Sequence, residues 1–505
     1  MRCPCGSLEV LQASHGAQSI TIAPHCSGVL ANTVDILMAR SGTLINQVMS
    51  HIRAGIASRS ILPGTRLPSI RQQARLLKMS VSTVVEAYER LAAEGTVVSR
   101  PGAGFYVNGP VAPLALMKLG PRLDRVVDPL WVSRQSLESD PASLRPGCGW
   151  LPPTWMFEDG LRRALRAQAR GSLSELTEYS TPLGNPALRQ LLVRRMAATG
   201  IDASPEQVML TESGTQAIDL IFRFLLKPGD KVLVDDPCYF NFHALLKAHQ
   251  VQAIGVPYTA QGPDLPLFEK ALQEHSPRLY ITNSGIHNPT GAALSPLVVH
   301  RLLKLVDSSE LVIVEDDIFA DFESTHAPRL AAFDGLARVI HIGSFSKTVS
   351  ASIRCGFVAA RPEWIDALVD LKIATSFGGG RLAEALILKT LTDGGYRKHM
   401  ETVRQRLSQE MEKVAGRLQK MGVRPALIPQ AGMFLWCRLP QGIDAAALAR
   451  TCLHEGVVLA PGNSFSQSQS AGDFLRFNVS QCSDERVFSV LARALKRPAL
   501  GRIQD

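Results

Sequence analysis

No stretch of this sequence approaches the roughly 18 uninterrupted apolar residues that a membrane-spanning helix needs. Residues 1–31 also lack the basic end and unbroken apolar run that mark a secretory signal. Hydrophobic residues make up 46% of the chain and charged residues 20%, which is ordinary for a soluble globular protein. These absences argue against a membrane protein and a secreted protein, so we expect residence in the cytoplasm.

Cysteine is present but is neither dense nor paired. The nine cysteines are an odd number, without the spacing of a zinc site or the density of a disulfide scaffold. Cys3 and Cys5 could together chelate a metal, but no second pair follows at zinc-finger spacing. Reduced thiols and no bound metal are therefore expected.

The chain has 505 residues, more than one hydrophobic core usually organises, so two or three domains are expected. Residues 1–40 are predicted to be a poorly ordered extension, and Met38 is an alternative start of the protein. Residues 109–145 contain five prolines and no sustained periodicity, which predicts a linker. The linker would join a domain at 41–108 to a second domain at 146–505.

The net charge of +9 is unevenly distributed. Residues 41–110 hold eight lysine and arginine side chains against three glutamates. A local positive excess suits a polyanion, because neutralising phosphates releases counterions. Solvated charged faces are common, however, so the pattern of helices and strands has to decide.

Residues 44–107 have the pattern of a winged helix-turn-helix. Apolar residues recur every three or four positions from Leu44 to Ile56, which predicts a first helix with one apolar face. Ser69 and Ser80 are predicted to cap the two short helices that follow. Residues 96–98 and 105–107 flank a segment with glycine at 102 and 104, which predicts a hairpin, the wing.

In such a fold, the second of the two short helices enters the major groove, and the wing lies along the backbone or minor groove. The predicted groove contacts are Ser80, Ser82 and Thr83. Arginines at 66, 71 and 100 fall where phosphate contacts belong. The full set of predicted DNA-binding residues is Arg66, Ser69, Arg71, Ser80, Ser82, Thr83, Arg100, Gly102 and Gly104.

The run from Pro63 to Arg71, together with Ser80-Val81-Ser82-Thr83-Val84 and the wing, resembles the GntR family of winged-helix regulators. The resemblance implies a double-stranded DNA operator as a partner. Val81 departs from the family, which usually has arginine or lysine at this position, where contact with DNA is expected. A winged helix used only for protein contacts is the alternative interpretation.

Beyond residue 145, short β-rich apolar runs alternate with helical patterns. This alternation predicts an α/β domain with a mostly parallel sheet covered on both faces. The runs are Val208–Leu210, Lys231–Val234, Val251–Val256, Leu279–Ile281, Leu311–Val314, Val339–Ile342 and Gly356–Val358.

Polar motifs follow the ends of these runs, where an open α/β sheet binds ligands. Ser213–Gln216 opens a helix, and its backbone donors predict a phosphate cradle. Tyr239 offers a ring to stack on a heterocycle, although core packing is the alternative. His287–Gly291 follows the fourth run, Glu315–Asp317 ends the fifth and Ser344–Lys347 follows the sixth.

In this order, the motifs resemble those of fold-type-I pyridoxal-phosphate enzymes, the aspartate-aminotransferase class, over residues 145–500. The resemblance implies pyridoxal 5'-phosphate as the cofactor. Lys347 would be catalytic and form the internal aldimine, and Asp316 would keep the pyridine nitrogen protonated. Asn288 would donate to the ring hydroxyl, and Arg476 would grip a substrate carboxylate. Tyr239 would stack on the ring, and the phosphate would be held by Ser213, Gly214, Thr215, Ser344 and Arg354.

The same resemblance implies a homodimer and a smaller C-terminal α+β subdomain at about residues 380–500. Tyr179 matches a tyrosine that reaches the cofactor phosphate of the neighbouring subunit. Two departures stand out. Phe319 replaces a tyrosine that donates to the ring hydroxyl, and Ala351-Ser352 replaces the usual Pro-Gly before Arg354.

Together, the two resemblances fit the MocR subfamily of GntR-type regulators. They imply a pyridoxal-phosphate-dependent transcriptional regulator whose aminotransferase-like domain senses an amine or amino acid through Lys347. A working aminotransferase with an appended DNA-binding domain is the main alternative, since only the tyrosine at Phe319 is missing. A third possibility is that the cofactor itself is the signal.

Overall fold

The computed structural model describes residues 44–56, 61, 64–108 and 130–496. The chain divides into two compact units, residues 1–119 and 120–505. The predicted N-terminal extension, with Met38, lies outside the described residues, as do residues 109–129 of the predicted linker. Within the described ranges, none of the helices combines the length and apolar character needed to cross a membrane.

The first unit contains a winged helix-turn-helix. Its elements are α1 (44–56), α2 (Ile70–Leu77), α3 (Val81–Ala93), β1 (Val97–Arg100) and β2 (Gly104–Val107). Both predicted caps are confirmed. Ser69 Oγ accepts from the backbone N–H of Gln72 at 3.3 Å, and Ser80 Oγ accepts from that of Thr83 at 3.1 Å.

The wing is an antiparallel pair in which Val97 lies opposite Val107. Gly102 and Gly104 have φ angles of 72° and 98°, a backbone region that other residues rarely adopt. The core beneath it packs apolar residues of all three helices with those of the wing. They include Val48, Met49, Ile52, Ala74, Val84, Tyr88, Leu91, Val97 and Val107.

The second unit is built from helices around a large mixed sheet. Its first helices are α4 (Trp131–Glu138), α5 (Glu158–Ala169), α6 (Leu173–Thr177), α7 (Pro186–Ala197), α8 (Gly214–Leu225), α9 (Phe240–Ala248), α10 (Leu265–His275), α11 (Pro296–Val306) and α12 (Leu330–Asp334). The later helices are α13 (Pro362–Ser376), α14 (Arg381–Leu391), α15 (Tyr396–Lys420), α16 (Ala445–His454) and α17 (Glu485–Lys496).

The large sheet has eight strands in the order β3-β10-β9-β8-β7-β4-β5-β6. They are β3 (Val208–Thr211), β4 (Lys231–Asp236), β5 (Gln252–Thr259), β6 (Gly262–Pro263), β7 (Leu279–Thr282), β8 (Val312–Asp316), β9 (Val339–Ser344) and β10 (Gly356–Ala359). All seven strand runs predicted from the sequence are therefore strands. Pairing between neighbours from β9 to β5 is parallel, whereas β10 is antiparallel to β3 and β9.

Helices cover this sheet on both faces, as the near-continuous apolar strands predict. Along β4, Val232 and Val234 pack into one core and Leu233 packs into the other. Strand residues alternate between the two faces, so both sets are buried. The mostly parallel arrangement brings the carboxyl ends of β3, β4, β7, β8 and β9 to one edge.

A smaller antiparallel sheet follows, in the order β11-β12-β14-β13. Its strands are β11 (Arg424–Pro425), β12 (Phe434–Arg438), β13 (Ala460–Pro461) and β14 (Phe474–Asn478). In the central pair, Trp436 lies opposite Arg476. This sheet and helices α15 to α17 form the smaller α+β part expected near the C-terminus.

Residues 130–145 differ from the predicted linker. They contain α4, whose Trp131 and Val132 are buried in the main core of the second unit. Leu144 donates its backbone N–H to Gly456 O at 2.9 Å. This segment has no sustained periodicity because the helix is short and is stabilised by packing, not by its own pattern. Within the described residues, the folded second unit thus begins near residue 130 instead of 146.

Candidate functional site

The residues predicted to bind the cofactor follow the carboxyl ends of neighbouring strands. Ser213 and Gly214 follow β3, Tyr239 follows β4, and Asn288 follows β7. Asp316 is the last residue of β8, and Lys347 comes three residues after the end of β9. The sheet therefore brings these groups to one edge, where α/β proteins of this type bind ligands.

The predicted phosphate cradle is the N-terminus of α8. Ser213 caps the helix by accepting from the backbone N–H of Gln216, and the first turn contains no acidic residue. A Cβ atom on Gly214 would lie 3.6 Å from Ser344 Cβ, so this helix end faces the end of β9. Free backbone donors and the helix dipole favour an anion here.

Two more of the predicted phosphate ligands have exposed side chains. Thr215 is an exposed residue in the first turn of α8, and Arg354 is exposed just before β10. Arg354 is close enough to Lys347 to contribute to lowering the lysine pKa. Gly356 lets β10 pass close by, because a Cβ there would lie 2.8 Å from the backbone carbon of Ser213.

Lys347 is the amine of the site. Burial lowers its pKa to about 8, because a charged ammonium is poorly solvated there, and the nearby cations Arg476 and Arg354 add to the effect. Cys148 and Asp316 act in the opposite direction. A lysine that loses its proton near neutral pH can act as a nucleophile towards an aldehyde.

Asp316 is 3% exposed and has a perturbed carboxyl group. Burial, with a smaller contribution from the neighbouring carboxylate of Asp317, raises its pKa to about 7. The backbone N–H of Ile318 donates to Asp316 Oδ1 at 3.2 Å and holds the side chain in place. A buried carboxyl at this position suits a positively charged ring nitrogen.

A hydrogen bond joins the side chains of Asn288 and Arg476. Arg476 Nη1 donates to Asn288 Oδ1 at 2.8 Å, and Nη2 donates to the carbonyl of Gly147 at 2.7 Å. Because the oxygen of Asn288 is an acceptor in this pair, its amide NH₂ group is the donor that remains for a ligand. Burial lowers the pKa of Arg476 to about 10.

Tyr239 is half-buried at the N-terminus of α9. Its ring packs against Phe240 and Phe242, with centroids 4.8 and 5.4 Å apart. Burial raises the pKa of its hydroxyl to about 12, and the carboxyl of Asp316 contributes to that rise. The ring therefore belongs both to the core and to the neighbourhood of Asp316.

Phe319 occupies the position at which the aspartate-aminotransferase class has a tyrosine. It is 3% exposed and packs edge-to-face on Phe434, with centroids 5.4 Å apart. A phenyl ring offers no hydroxyl to the site.

Tyr179 precedes the other predicted cofactor-binding residues in the sequence. Its side chain is 75% exposed and packs on Phe377, with ring centroids 5.1 Å apart. No described contact brings it to Lys347 of the same chain.

Several residues of the site were not predicted from the sequence. A Cβ on Gly149 would lie 3.7 Å from Lys347 Nζ and 3.9 Å from Arg476 Nη2. The Arg476 guanidinium carbon lies 4.3 Å from the ring centroid of Phe434 and 4.8 Å from that of Phe465. The buried thiol of Cys148 lies near Arg476 and Lys347, and burial raises its pKa. Glycines at 147 and 149 were the one available signal.

The predicted DNA-contacting residues lie on α2, α3 and the wing or in the segments directly before the two helices. Ser80 caps α3, and Ser82 and Thr83 are in its first turn. Arg71 is an exposed residue of α2. Ser69 is the cap of α2, so its hydroxyl already has an intramolecular role.

Two of the predicted arginines, Arg66 and Arg100, contact residues of the wing. The Arg100 guanidinium carbon lies 4.4 Å from the ring centroid of Tyr106. The backbone of Arg66 forms an isolated antiparallel β-bridge with Tyr106. The Nε atom of Arg66 would lie 3.4 Å from a Cβ atom built on Gly104. Both arginine side chains are exposed, so they are available to phosphates.

Pyridoxal phosphate fits the residues of the second unit. The N-terminus of α8 suits its phosphate, Asp316 its ring nitrogen and Asn288 its ring hydroxyl. Arg476 Nε is buried and has no hydrogen-bond partner among the described residues, so this arginine can still bind a carboxylate. When bound, the cofactor supplies an aldehyde that reacts with amines and a ring that accepts electrons.

Two family models match the chain. The model "Aminotransferase class I and II" matches residues 157–494, and the model "Bacterial regulatory proteins, gntR family" matches residues 44–107. The first match alone covers well over half of the chain. The two matches coincide with the second unit and the winged helix-turn-helix.

Relatives of the whole chain are named as regulators. The chain is 29% identical over 456 residues to the uncharacterized HTH-type transcriptional regulator YdcR of Escherichia coli, covering 87% of this chain and 96% of the relative. It is 25% identical over 436 residues to the HTH-type transcriptional regulator NorG of Staphylococcus aureus, covering 84% and 97%. A 2-aminoadipate transaminase of Thermus thermophilus is 30% identical over 372 residues, covering 70% and 91%.

Solved structures resemble the second unit. Alpha-aminoadipate aminotransferase LysN of Thermus thermophilus, complexed with N-(5'-phosphopyridoxyl)-L-leucine, superposes with a TM-score of 0.66 and 27% identity, covering 74% of this chain and 95% of that one. An archaeal alanine:glyoxylate aminotransferase has a TM-score of 0.68 and 25% identity, covering 75% and 96%. The cofactor indicated by these likenesses is pyridoxal phosphate. The chain belongs to the aminotransferase class I and II family and joins that domain to a GntR-type winged helix, which is the architecture of MocR-type regulators.

Proposed function

We propose that this protein is a pyridoxal-phosphate-dependent transcriptional regulator that binds an operator in double-stranded DNA and senses an amine or amino acid. The observation that carries the proposal is the presence of both parts in one chain. A winged helix with exposed arginines precedes a domain that retains Lys347, Asp316, Asn288 and Arg476 in one site. A DNA-binding regulator would act in the cytoplasm, where the DNA is.

The chemistry of the site supports an amino-acid ligand. Lys347 holds the cofactor, and an incoming amine would replace its nitrogen. A carboxylate on the ligand suits Arg476, which is buried and packs against the rings of Phe434 and Phe465. Amines without a carboxylate would take the place of Lys347 on the cofactor but gain no contact with Arg476, and would bind more weakly.

A homodimer is part of the proposal. Exposed apolar side chains lie on α6, in the following loop, at the end of α13 and at the start of α14, at Leu173, Leu176, Tyr179, Phe377 and Leu382. Exposed apolar side chains of this kind favour association with a second copy. In that dimer, Tyr179 would reach the cofactor phosphate of the partner. Two winged helices would then read paired half-sites.

The switch requires a ligand that prefers one arrangement of the dimer. We expect the ligand carboxylate to hold the smaller sheet, through Arg476 on β14, against the loop after β7 that carries Asn288, which Arg476 already contacts. The DNA-binding domains would be repositioned as a result. Such coupling is possible only if the two arrangements differ in affinity for the ligand.

An active aminotransferase is the second candidate function. It is favoured by the 30% identity to a 2-aminoadipate transaminase and by the retention of Lys347, Asp316 and Arg476. Phe319 argues against fast turnover, because the site lacks the hydroxyl group expected there.

The test combines two readouts on the full-length protein loaded with pyridoxal phosphate. Candidate amines and amino acids are titrated while the visible absorbance and the affinity for operator DNA are both recorded. A sensor changes its absorbance and its DNA affinity over the same ligand concentrations. Lys347→Ala should abolish the absorbance response and the DNA response together.

Other outcomes identify the alternatives. Repeated turnover with a keto acid, with DNA affinity unchanged, would indicate an enzyme. DNA affinity that depends on cofactor loading but on no amine would mean that the cofactor is the signal. DNA binding without any cofactor absorbance would overturn the sensing proposal.

A further inference from the structure

An exposed apolar side chain begins the helix that is expected to enter the major groove. Val81 is the first residue of α3, and its side chain is 50% exposed. The core of the winged domain takes its α3 members from later positions, namely Val84, Ala87, Tyr88 and Leu91. The isopropyl group of Val81 is therefore half exposed and lies outside this core.

The hydroxyl groups around Val81 bond to one another. Ser80 Oγ lies 2.9 Å from Ser82 Oγ and 2.7 Å from Thr83 Oγ1, and it also accepts the backbone N–H of Thr83. The first charged side chain of α3 is Glu86, in the second turn. The first turn thus presents a methyl-rich surface flanked by hydroxyls that already have partners.

The positive charge that attracts DNA lies elsewhere in the domain. Arg71 is on α2, Arg66 and Arg100 are at the wing, and all three are exposed. Phosphate contacts of this kind fix the position of a protein on DNA but carry no sequence information. Base selection by α3 therefore depends on its first turn, where Val81 is the largest exposed side chain.

The major groove offers one apolar partner among its base edges. Guanine, adenine and cytosine present hydrogen-bond donors and acceptors, whereas thymine also presents its C5 methyl group. A valine facing guanine would displace water from N7 and O6 without replacing the lost hydrogen bonds. A valine facing thymine buries two apolar groups against each other.

We propose that Val81 selects thymine at one position in each half-site by packing its isopropyl group against the C5 methyl group. This inference rests on the proposed DNA-binding function and adds a specificity-determining residue to it. Val81 takes the place that a hydrogen-bonding side chain would occupy in a reader of guanine.

Deoxyuridine tests the proposal directly, because it differs from thymidine only by the missing methyl group. An operator is first selected from random duplexes with the full-length, cofactor-loaded protein. Dissociation constants are then measured at one salt concentration for probes with deoxyuridine at each thymidine in turn. We expect about a fourfold loss at one position per half-site, which corresponds to about 0.8 kcal/mol for one buried methyl group.

The variant Val81→Ala completes the cycle. It should bind the thymidine probe more weakly and should no longer distinguish deoxyuridine from thymidine at that position. Leu137→Ala is the matched control, because it removes a side chain that is 73% exposed on α4 of the second unit. The control should keep the full fourfold effect. Equal thermal unfolding curves and cofactor absorbance show that both variants are folded.

Two results would overturn the inference alone. One is specific binding by the wild type that is unchanged by deoxyuridine at every thymidine. The other is a deoxyuridine effect that Val81→Ala retains in full. A wild-type protein that selects no duplex at all would overturn the proposed function together with this inference.

Discussion

Arg476 Nη1 donates to Asn288 Oδ1 at 2.8 Å and so joins β14 of the smaller sheet to the loop after β7 of the large sheet. The two residues are 188 positions apart in the chain. We propose that Asn288 binds the ring hydroxyl of the cofactor and that Arg476 binds the carboxylate of the ligand. One hydrogen bond would then link the two recognition events.

Replacing Arg476 with lysine should separate ligands by their carboxylates. Lysine keeps the charge but cannot form the two-pronged contact with a carboxylate. We expect the affinity for an amino acid to fall about 10- to 100-fold, while that for its decarboxylated amine changes little. Absorbance titrations with both ligands measure the difference.

The matched control for this prediction is Arg438→Lys. Arg438 lies on β12 and donates to Asp473 at 2.7 Å on an exposed surface. The affinities for the amino acid and for its decarboxylated amine should both be unchanged in this variant. Equal losses of affinity for amino acid and amine in Arg476→Lys would show that Arg476 does not bind the carboxylate.

Lys347 should make covalent cofactor binding dependent on pH near neutrality. Burial lowers its pKa to about 8, so about one tenth of the amines are neutral at pH 7 and about nine tenths at pH 9. Only the neutral amine attacks an aldehyde. The rate at which cofactor-free protein gains visible absorbance should rise about tenfold over this range and then level off.

An unperturbed lysine gives a different profile. With a pKa of about 10.5, the rate would continue to rise beyond pH 10. Lys347→Ala should show no such rate at any pH. A rate of absorbance gain that does not level off near pH 9 would contradict the lowered pKa of Lys347.

Phe319→Tyr should restore a hydrogen-bond donor towards the ring hydroxyl. A donor there stabilises negative charge on the ring oxygen, so the pH at which the bound cofactor's absorbance titrates should decrease. Turnover with an amino acid and a keto acid should increase if the missing hydroxyl limits catalysis. Absorbance against pH and a coupled transaminase assay measure the two effects.

Phe322→Tyr serves as the control for that change. Phe322 is buried close by, with its ring centroid 6.3 Å from that of Phe319. Its new hydroxyl would lie outside the cofactor site, and the titration should stay at the wild-type pH. An identical shift in both variants would point to a general effect of a buried hydroxyl.

The arginines at 71 and 100 should contribute to DNA affinity without contributing to sequence choice. Each alanine variant should weaken binding to all duplexes alike and reduce the slope of log affinity against log salt by about 1. Arg90→Ala is the control, because the Arg90 side chain already pairs with Glu86 at 2.8 Å. Anisotropy titrations at several salt concentrations give the slopes. If the slope were unchanged in the alanine variants at both 71 and 100, these arginines would not contact DNA phosphates.

Much of the fold could be predicted because its signals are local. The caps at Ser69 and Ser80 and the seven strand runs depend on short patterns of apolar and polar residues. The order of the motifs along the chain then placed Ser213, Asp316 and Lys347 at the same edge of a mostly parallel sheet. These inferences needed no knowledge of long-range packing.

Residues 130–145 show where such signals end. The helix α4 has 8 residues, and its order depends on Trp131 and Val132 packing into a core formed by distant segments. Five prolines in and around this stretch favoured a linker. Packing outweighed that local pattern.

The sequence by itself determined the two-part architecture and the cofactor, and it predicted Lys347 as the reacting amine, because each follows from contiguous motifs with a fixed chemistry. Tertiary structure decided which distant groups meet. It placed Arg476 against Phe434 and Phe465, set Gly149 beside Lys347, and left Tyr179 exposed. These relations depend on how the smaller sheet packs against the large one, and no local pattern encodes the distance between residues hundreds of positions apart.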